Sequence, residues 1–140
     1  MIRNFDGNLT KGIVFGGERG SPVLAASAGE VIYAGSNLRG YGNMVVIKHN
    51  DTWSSVYANN EELFVTQGQR VSAGQKIANE GDSDASRTQL YFEIRQNSKP
   101  IDPMRVLPNR WFDGIVLSYD LMLRGVRAPR NVYFYQVLKR

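Results

Sequence analysis

The sequence predicts an all-β domain with long loops, followed by a C-terminal extension of different character. Its apolar residues come in short runs divided by glycine, of which the chain has 14. Such runs are typical of strands joined by tight turns. Apolar residues take up helical spacing only after residue 108. The chain has 140 residues, 42% of them hydrophobic and 21% charged, and it is long enough for one globular domain with a real core.

The first half of the chain contains four predicted strands. Two of them are the apolar runs at residues 22–26 and 30–34. Residues 44–49 form the most apolar run of the chain and are predicted as a central strand. A polar turn at residues 50–52 leads into a return strand at residues 53–58. These last two strands are therefore predicted to form a hairpin.

A stretch with regularly spaced glycines follows. Gly68 and Gly74 are predicted to turn the backbone with positive φ, while Val65, Val71 and Ile77 point inward. Lipoyl and biotinyl carrier domains share this spacing. The modifiable lysine flanked by Met or Ala that a carrier needs is not visible here, so the pattern is interpreted as a structural turn.

The last strand of the domain is predicted from strict alternation. Its side chains form two sets, with Leu90, Phe92 and Ile94 on one face and Tyr91, Glu93 and Arg95 on the other. A polar loop at residues 79–87 precedes this strand. The only helix candidate before residue 108 is a short one near residues 60–63.

The C-terminal extension, residues 109–140, is predicted to form a helix and then a strand. Its apolar residues from Phe112 to Leu123 fall at helical spacing, and residues 132–138 look like a strand. Residues 1–108 contain 11 Lys and Arg against 11 Asp and Glu, and the extension contains the other six basic and two acidic residues. The net charge of +4 therefore comes from the extension alone.

Composition and spacing disfavour several functional classes. A nucleic-acid surface needs a clustered basic stripe, which the charge distribution does not provide. No run approaches the roughly 18 apolar residues of a membrane span. The first residues, MIRNFDGN, are too polar for a signal peptide, which leaves a cytosolic protein or a segment of a longer exported protein open. The acidic residues near Asp82 and Glu61 do not match a calcium-binding loop.

Histidine and cysteine are too few for an ordinary zinc hydrolase. The chain has one histidine, His49, and no cysteine. A zinc hydrolase needs about three protein ligands in addition to a water, and no carboxylates stand in positions that would complete a site around His49. This residue is therefore interpreted as the end of the central strand.

Five motifs in a fixed order carry a resemblance to a known family. They are KGI at 11–13, GxPVxAAxxGxV at 20–31, GYGN at 40–43, VxxGxxVxxGQxI at 65–77 and LYFEIR at 90–95. Together they resemble the LytM domain of the lysostaphin-like M23 zinc endopeptidases, and most closely its degenerate branch of cell-division activators of the EnvC and NlpD type. The resemblance divides the chain into a lead-in at 1–9, a degenerate LytM domain at 10–108 and the extension at 109–140.

The resemblance also shows which functional residues have been replaced. Active members carry His-x-x-x-Asp, Tyr-Ala-His and His-x-His motifs. The metal and catalytic positions of these motifs, called the vacated positions below, fall on Thr10, Val14, Asn59, Gln89 and Tyr91. Threonine and tyrosine are poor zinc ligands near neutral pH and valine is none. The resemblance therefore implies a protein that is not an enzyme and that needs no cofactor.

The activators of this branch imply a partner and a location. By resemblance, the vacated groove binds the regulatory helix of a periplasmic N-acetylmuramoyl-L-alanine amidase and so promotes splitting of septal peptidoglycan in cell division. The residues expected to bind this partner are Lys11, Val14, Tyr41, Met44, Tyr57, Tyr91 and Arg95.

Two other functions stay open at this point. The domain could be a peptidoglycan-binding module that kept substrate contacts and lost the chemistry. It could also be an M23-like metalloendopeptidase with an altered site that uses Glu93 or aspartates of the loops. Each of Tyr41, Tyr57 and Tyr91, taken alone, is equally compatible with a half-buried strand tyrosine.

Overall fold

Within the part of the chain that the structure describes, the fold is a nine-stranded antiparallel sheet. A computed structural model describes residues 12–16 and 18–102 of the chain. The strands are β1 (Ile13–Gly16), β2 (Pro22–Leu24), β3 (Gly29–Gly35), β4 (Asn43–Lys48), β5 (Trp53–Leu63), β6 (Arg70–Val71), β7 (Lys76–Glu80), β8 (Gln89–Gln96) and β9 (Lys99–Ile101). The described residues include no helix, and thus none that would be long and apolar enough to cross a membrane. The predicted all-β class is confirmed.

The strands pair in the order β1-β8-β5-β4-β3-β6, and every pairing is antiparallel. Strands β2 and β7 pair with each other, β7 also pairs with the far end of β5, and β9 pairs with β8. Strands β4 and β5 form the predicted hairpin, closed by a hydrogen bond from the His49 amide to the Trp53 carbonyl at 2.9 Å. Strand β5 therefore lies between β4 and β8 at the centre of the sheet.

The two faces of the central strands bury different sets of residues. One face contributes to the main core, which contains Val45, Ile47, Tyr57, Phe92 and Ile94. The other face carries a smaller buried cluster of Met44, Val46, Val56 and Ala58. Because side chains alternate along a strand, neighbouring residues of β4, β5 and β8 belong to opposite faces. The predicted facing of Leu90, Phe92 and Ile94 is confirmed, since all three lie in the main core.

The glycine-spaced stretch also matches its prediction. Gly68 and Gly74 have φ of 94° and 79°, values that favour glycine. Val65, Val71 and Ile77 are buried in the main core. The turns thus bring three apolar side chains inward, as the spacing predicted.

The short helix predicted near residues 60–63 is wrong. Strand β5 continues through these residues to Leu63, where it pairs with β7. Asn60 stands opposite both Asn43 and Glu80. Ladder hydrogen bonds to two neighbouring strands override the helical preference of the Glu61-Glu62-Leu63 segment.

Several predictions lie outside the described residues. These are the placements of Thr10 and Lys11 and the helix and strand of the extension. The boundaries at residues 9 and 108 stay predictions as well.

Candidate functional site

The candidate site is the face of the sheet opposite the main core. Three tyrosines, Tyr33, Tyr41 and Tyr91, lie half-buried on the smaller cluster of Met44, Val46, Val56 and Ala58. Arg95 follows Tyr91 on the same side of β8 because side chains alternate along the strand. The surface formed by Tyr33, Tyr41, Tyr91 and Arg95 is called the aromatic face below.

A buried carboxylate joins three side chains of this face. Glu93 has no exposed surface. Its Oε2 accepts hydrogen bonds from the Tyr91 hydroxyl at 2.6 Å and from the Tyr41 hydroxyl at 3.0 Å. Its Oε1 accepts one from Arg95 Nε at 2.8 Å. A buried charge needs such partners, and here both of its oxygens have them.

The two phenols that contact Glu93 stay protonated at neutral pH. Burial raises the pKa of Tyr91 far above its usual range, and the hydrogen bond to Glu93 raises it further. Burial and the charge of Glu93 also raise the pKa of Tyr41. The two rings meet edge to face, with centroids 5.6 Å apart and planes at 73°, an arrangement that aromatic pairs favour. Both hydroxyls therefore act as donors to the carboxylate.

Two residues expected to bind a partner are buried and not exposed on the face. Val14 stands opposite Tyr91 in the ladder between β1 and β8, on the same face of the sheet, and is 2% exposed. Met44 is also 2% exposed and lies in the cluster beneath the tyrosines. Tyr41, Tyr91 and Arg95 are thus the predicted partner-binding residues that remain accessible among those the structure describes.

Two vacated positions contact each other directly. Gln89 Nε2 donates a hydrogen bond to Asn59 Oδ1 at 2.9 Å. Asn59 has φ of 64°, a left-handed conformation that asparagine adopts more readily than most residues. Its side-chain Nδ2 donates to the Ser83 carbonyl at 2.9 Å, and its backbone N–H donates to the Tyr41 carbonyl at 2.7 Å. Asn59 therefore ties the segment that carries Tyr41 to the loop that carries Ser83.

Ser83 holds the same two segments together from the other side. Its Oγ donates to the Asn60 carbonyl at 2.6 Å and accepts from the Asn43 amide at 3.0 Å. Gly42 (φ 58°) lies so close that a Cβ there would be 2.3 Å from the Ser83 carbonyl oxygen. Only glycine permits this approach. The position of Tyr41 is thus fixed by backbone contacts on both of its sides.

The structure does not bring Tyr57 to the aromatic face. Tyr57 is fully buried in the main core, opposite Val45 and Phe92. Its hydroxyl accepts a hydrogen bond from the Ala26 amide at 2.8 Å and lies 2.7 Å from Ser55 Oγ. The expectation that Tyr57 lines the same cleft as Tyr41 and Tyr91 is corrected here, because the register of β5 turns its ring to the other face.

His49 belongs to the same internal network as Tyr57. Its Nε2 lies 2.7 Å from Ser55 Oγ and its Nδ1 lies 2.8 Å from the Ala28 carbonyl oxygen. Burial lowers the pKa of His49 to about 4, so the ring is neutral at pH 7. Because the Ala28 carbonyl only accepts, Nδ1 carries the proton and Nε2 accepts from Ser55. His49 is bound at the end of the central strand, where the sequence places it.

The residues at the vacated positions do not fit a zinc ion. Val14 has no ligand atom, the amides of Asn59 and Gln89 bond to each other, and the Tyr91 hydroxyl donates to Glu93. Within residues 12–16 and 18–102, no group of three or more His, Cys, Asp or Glu side chains is arranged to hold a metal ion. Thr10 lies outside the described residues. What this site offers chemically is aromatic surface, phenol oxygens and one guanidinium.

The central role of Glu93 and the role of Ser83 were not predicted from the sequence. The alternation of β8 placed Glu93 between Tyr91 and Arg95 on one face, and that was the available signal. The convergence of Tyr41 from a different segment was not visible in the sequence. Ser83 sits in a loop whose composition indicates only polarity.

Residues 8–103 match the model of peptidase family M23. The chain therefore belongs to this family. A lipoprotein of Pseudomonas aeruginosa named as an NlpD/LppB homolog is 53% identical over 105 residues, which are 75% of this chain and 35% of that protein. The murein hydrolase activator NlpD of Escherichia coli is 49% identical over 100 residues, which are 71% of this chain and 26% of that protein. The chain thus spans about a third and a quarter of the length of these relatives.

Solved structures of the family share the fold. A zinc-containing peptidase from Vibrio cholerae has a TM-score of 0.70 at 28% identity, over 74% of this chain and 35% of that one. The catalytic domain of lysostaphin from Staphylococcus simulans has a TM-score of 0.65 at 30% identity, over 71% of this chain and 80% of that one. The predicted LytM-type fold is confirmed by these similarities and by the family match.

Proposed function

We propose that this domain is a non-catalytic activator of a peptidoglycan-cleaving N-acetylmuramoyl-L-alanine amidase in the bacterial periplasm. The relatives of the chain include proteins named murein hydrolase activators and lipoproteins. The observation that carries the proposal is the chemistry of the vacated positions. Their described side chains are apolar or engaged in internal hydrogen bonds, and they support an aromatic face.

The aromatic face has the composition of a protein-binding surface. Tyrosine and arginine are enriched among residues that dominate binding energies. Tyr41 and Tyr91 present ring surface over a buried apolar floor, and Arg95 has 27% of its side chain exposed. A helix with an apolar stripe suits such a surface. We propose that the regulatory helix of the amidase binds here, between the rings and Arg95.

Activation then follows from differential affinity. An amidase whose regulatory helix blocks its own site exists in closed and open states. A partner that binds the helix only when it is released shifts the population toward the open state. Moving the ratio from 1:99 to 99:1 requires about 5.5 kcal/mol of preference. A few well-packed aromatic anchors supply free energy of this order.

The proposed contact residues follow from accessibility. Tyr41, Tyr91 and Arg95 contact the partner. Met44 supports the tyrosines from below, and Val14 is buried beside Tyr91. Lys11 remains a proposed contact whose position lies outside the described residues. Val14 is too buried to report on binding alone, so Tyr91 is the better residue to change.

The test is a dye-release assay on labelled cell-wall sacculi with a purified amidase of Pseudomonas aeruginosa. We expect the 140-residue chain to stimulate dye release. For Tyr91→Ala, the concentration needed for half-maximal stimulation should rise about 30-fold or more, because a hot-spot residue weakens amidase binding by this amount. The matched control is Phe64→Ala, another half-exposed aromatic residue, whose ring lies 4.5 Å from Lys76 Nζ in a different part of the domain. We expect this variant to bind like wild type.

Three outcomes would contradict the proposal. Failure of the chain to stimulate any amidase of that organism, in an assay where Escherichia coli NlpD stimulates its own, would remove it. Tight binding to sacculi without an amidase and without stimulation would support the peptidoglycan-binding module. Sacculus cleavage by the chain alone, with stoichiometric zinc in the purified protein, would support the altered metalloendopeptidase.

A further inference from the structure

The hydrogen bonds of Glu93 converge from two separate parts of the chain. Tyr91 and Arg95 are its neighbours on β8, whereas Tyr41 lies in the segment between β3 and β4. We infer that Glu93 is the positioning residue that fixes Tyr41 and Tyr91 as one preformed contact surface for the partner. This inference rests on the proposed function, since it explains how that function is prepared before binding.

Donor and acceptor counts support this role. Each phenol has one proton, and both protons point inward to Glu93 Oε2. The outward lone pairs of the two phenol oxygens are then acceptors. Arg95 uses Nε for Glu93 Oε1, and 27% of its side chain is exposed. Glu93 thereby sets which atoms of the face donate and which accept.

The backbone around Glu93 is built to keep the carboxylate buried. Gly12 lies so close to β8 that a Cβ there would be 2.3 Å from the Phe92 carbonyl oxygen and 2.9 Å from Glu93 Cγ. Val56 stands opposite Glu93 on the other side, in β5. A carboxylate in such surroundings accepts stronger hydrogen bonds than an exposed one. The tyrosines are therefore held more firmly than solvent would hold them.

A partner gains affinity from a surface that is already ordered. Side chains that must be immobilised on binding reduce the affinity. If Glu93 no longer holds the two rings, the partner has to order them itself. We expect this to weaken amidase binding by about tenfold, equivalent to about 1.4 kcal/mol.

The test compares Glu93→Gln with Glu80→Gln, a matched change at another buried glutamate that lies on β7, outside the aromatic face. Glutamine keeps the shape of Glu93 but offers one acceptor oxygen and one donor amide. It cannot accept from Arg95 on one side and from both phenols on the other. We expect Glu93→Gln to bind the amidase about tenfold more weakly and Glu80→Gln to bind like wild type.

A second measurement reports on the rings without any partner. NMR spectra of tyrosine-labelled protein, assigned with Tyr41→Phe and Tyr91→Phe, should show shifted and averaged ring signals for Tyr41 and Tyr91 in Glu93→Gln. The signals of Tyr57 should stay in place. A purely structural role of Glu93 would lower the free energy of unfolding without this selective change.

The outcomes separate the two proposals. Unchanged amidase affinity in Glu93→Gln, or unchanged ring signals, would overturn the inference. If wild type binds no amidase, the proposed function fails, and the ring signals still decide whether Glu93 positions the tyrosines. Should Glu93→Gln not fold, the double variant Tyr41→Phe/Tyr91→Phe removes both bonds to Oε2 and keeps the Glu93–Arg95 pair. It should lose at least as much affinity as Glu93→Gln, because it also removes the two phenol oxygens, and wild-type affinity there would also overturn the inference.

Discussion

Strands β5 and β8 place two tyrosines with hydrogen-bonded hydroxyls on opposite faces of one sheet, and the two networks differ in charge. The hydroxyl of Tyr57 contacts the Ala26 amide and Ser55 inside the domain, and Ser55 connects it to a neutral His49 that donates to the Ala28 carbonyl. The hydroxyl of Tyr91 joins a carboxylate and, through it, a partly exposed guanidinium. A neutral network inside the domain stabilises the fold. A charged network that reaches the surface leaves groups available to a partner.

The largest expected effect comes from removing each ring in turn. Tyr57→Ala should lower the free energy of unfolding by about 3–5 kcal/mol, the usual cost of truncating a buried aromatic side chain. Tyr91→Ala should cost about 2 kcal/mol, because the ring is half-buried and Glu93 keeps its other two donors. Urea denaturation of both variants measures the difference. Equal costs would mean that the two faces contribute alike to stability.

Acid should act on the Tyr57 network through His49. The pKa of His49 is about 4 in the folded protein and about 6.5 in the unfolded chain. Between these values the unfolded state binds more protons than the folded state. The contribution of the neutral His49 ring to stability is therefore fully present above pH 6.5 and is lost as the pH falls to 4. The loss should reach at most about 3 kcal/mol.

His49→Gln provides the comparison, because it has no titrating ring. The difference in unfolding free energy between wild type and this variant should shrink as the pH falls from 7 to 4. A difference that stays constant over this range would show that His49 has the same pKa in the folded protein as in the unfolded chain.

A smaller effect of opposite sign is expected at Glu80. Burial and then the charge of Glu18 raise its pKa to about 7, against about 4.3 unfolded. The folded state therefore binds more protons between these values, and this contribution to stability is present at low pH and lost as the pH rises through 7. Glu80→Gln should be more stable than wild type by about 1–2 kcal/mol at pH 8.

Salt identifies the part of this gain that Glu18 causes, because salt screens charges at the surface. The advantage of Glu80→Gln should decline in high salt and vanish at pH 4.5. If Glu80→Gln were more stable than wild type by the same amount at pH 8 and at pH 4.5, the gain in stability would come from packing and not from charge.

Only one of these two tyrosine orientations was predictable from the sequence. Alternation along β8 was sufficient to separate Phe92 from Tyr91, because polar and apolar residues take turns there. Along β5 the run Val56-Tyr57-Ala58 is apolar on both faces, so alternation could not tell which way Tyr57 points. That choice depends on the register with β4 and β8, which puts Tyr57 opposite Val45 and Phe92.

The sequence was sufficient to name the positions of the candidate site but not the hydrogen bonds between them. The resemblance to the M23 family implied that Asn59, Gln89 and Tyr91 lie in one region, and the structure shows Asn59 bonded to Gln89. The burial of Glu93 depends on Gly12 and on a hydroxyl from another segment. Contacts between distant segments leave no local pattern in the sequence, so only the structure shows them.

The left-handed backbone of Asn59 limits which residues this position accepts. Its Nδ2 donates to the carbonyls of Ser83 and Tyr41 and so connects two neighbouring loops. Most other residues adopt positive φ less readily than asparagine, and without such a donor they would leave only the backbone bond to the Tyr41 carbonyl at 2.7 Å. We therefore expect a substitution of Asn59 to loosen the Ser83 loop first, because the Tyr41 segment keeps its backbone bond.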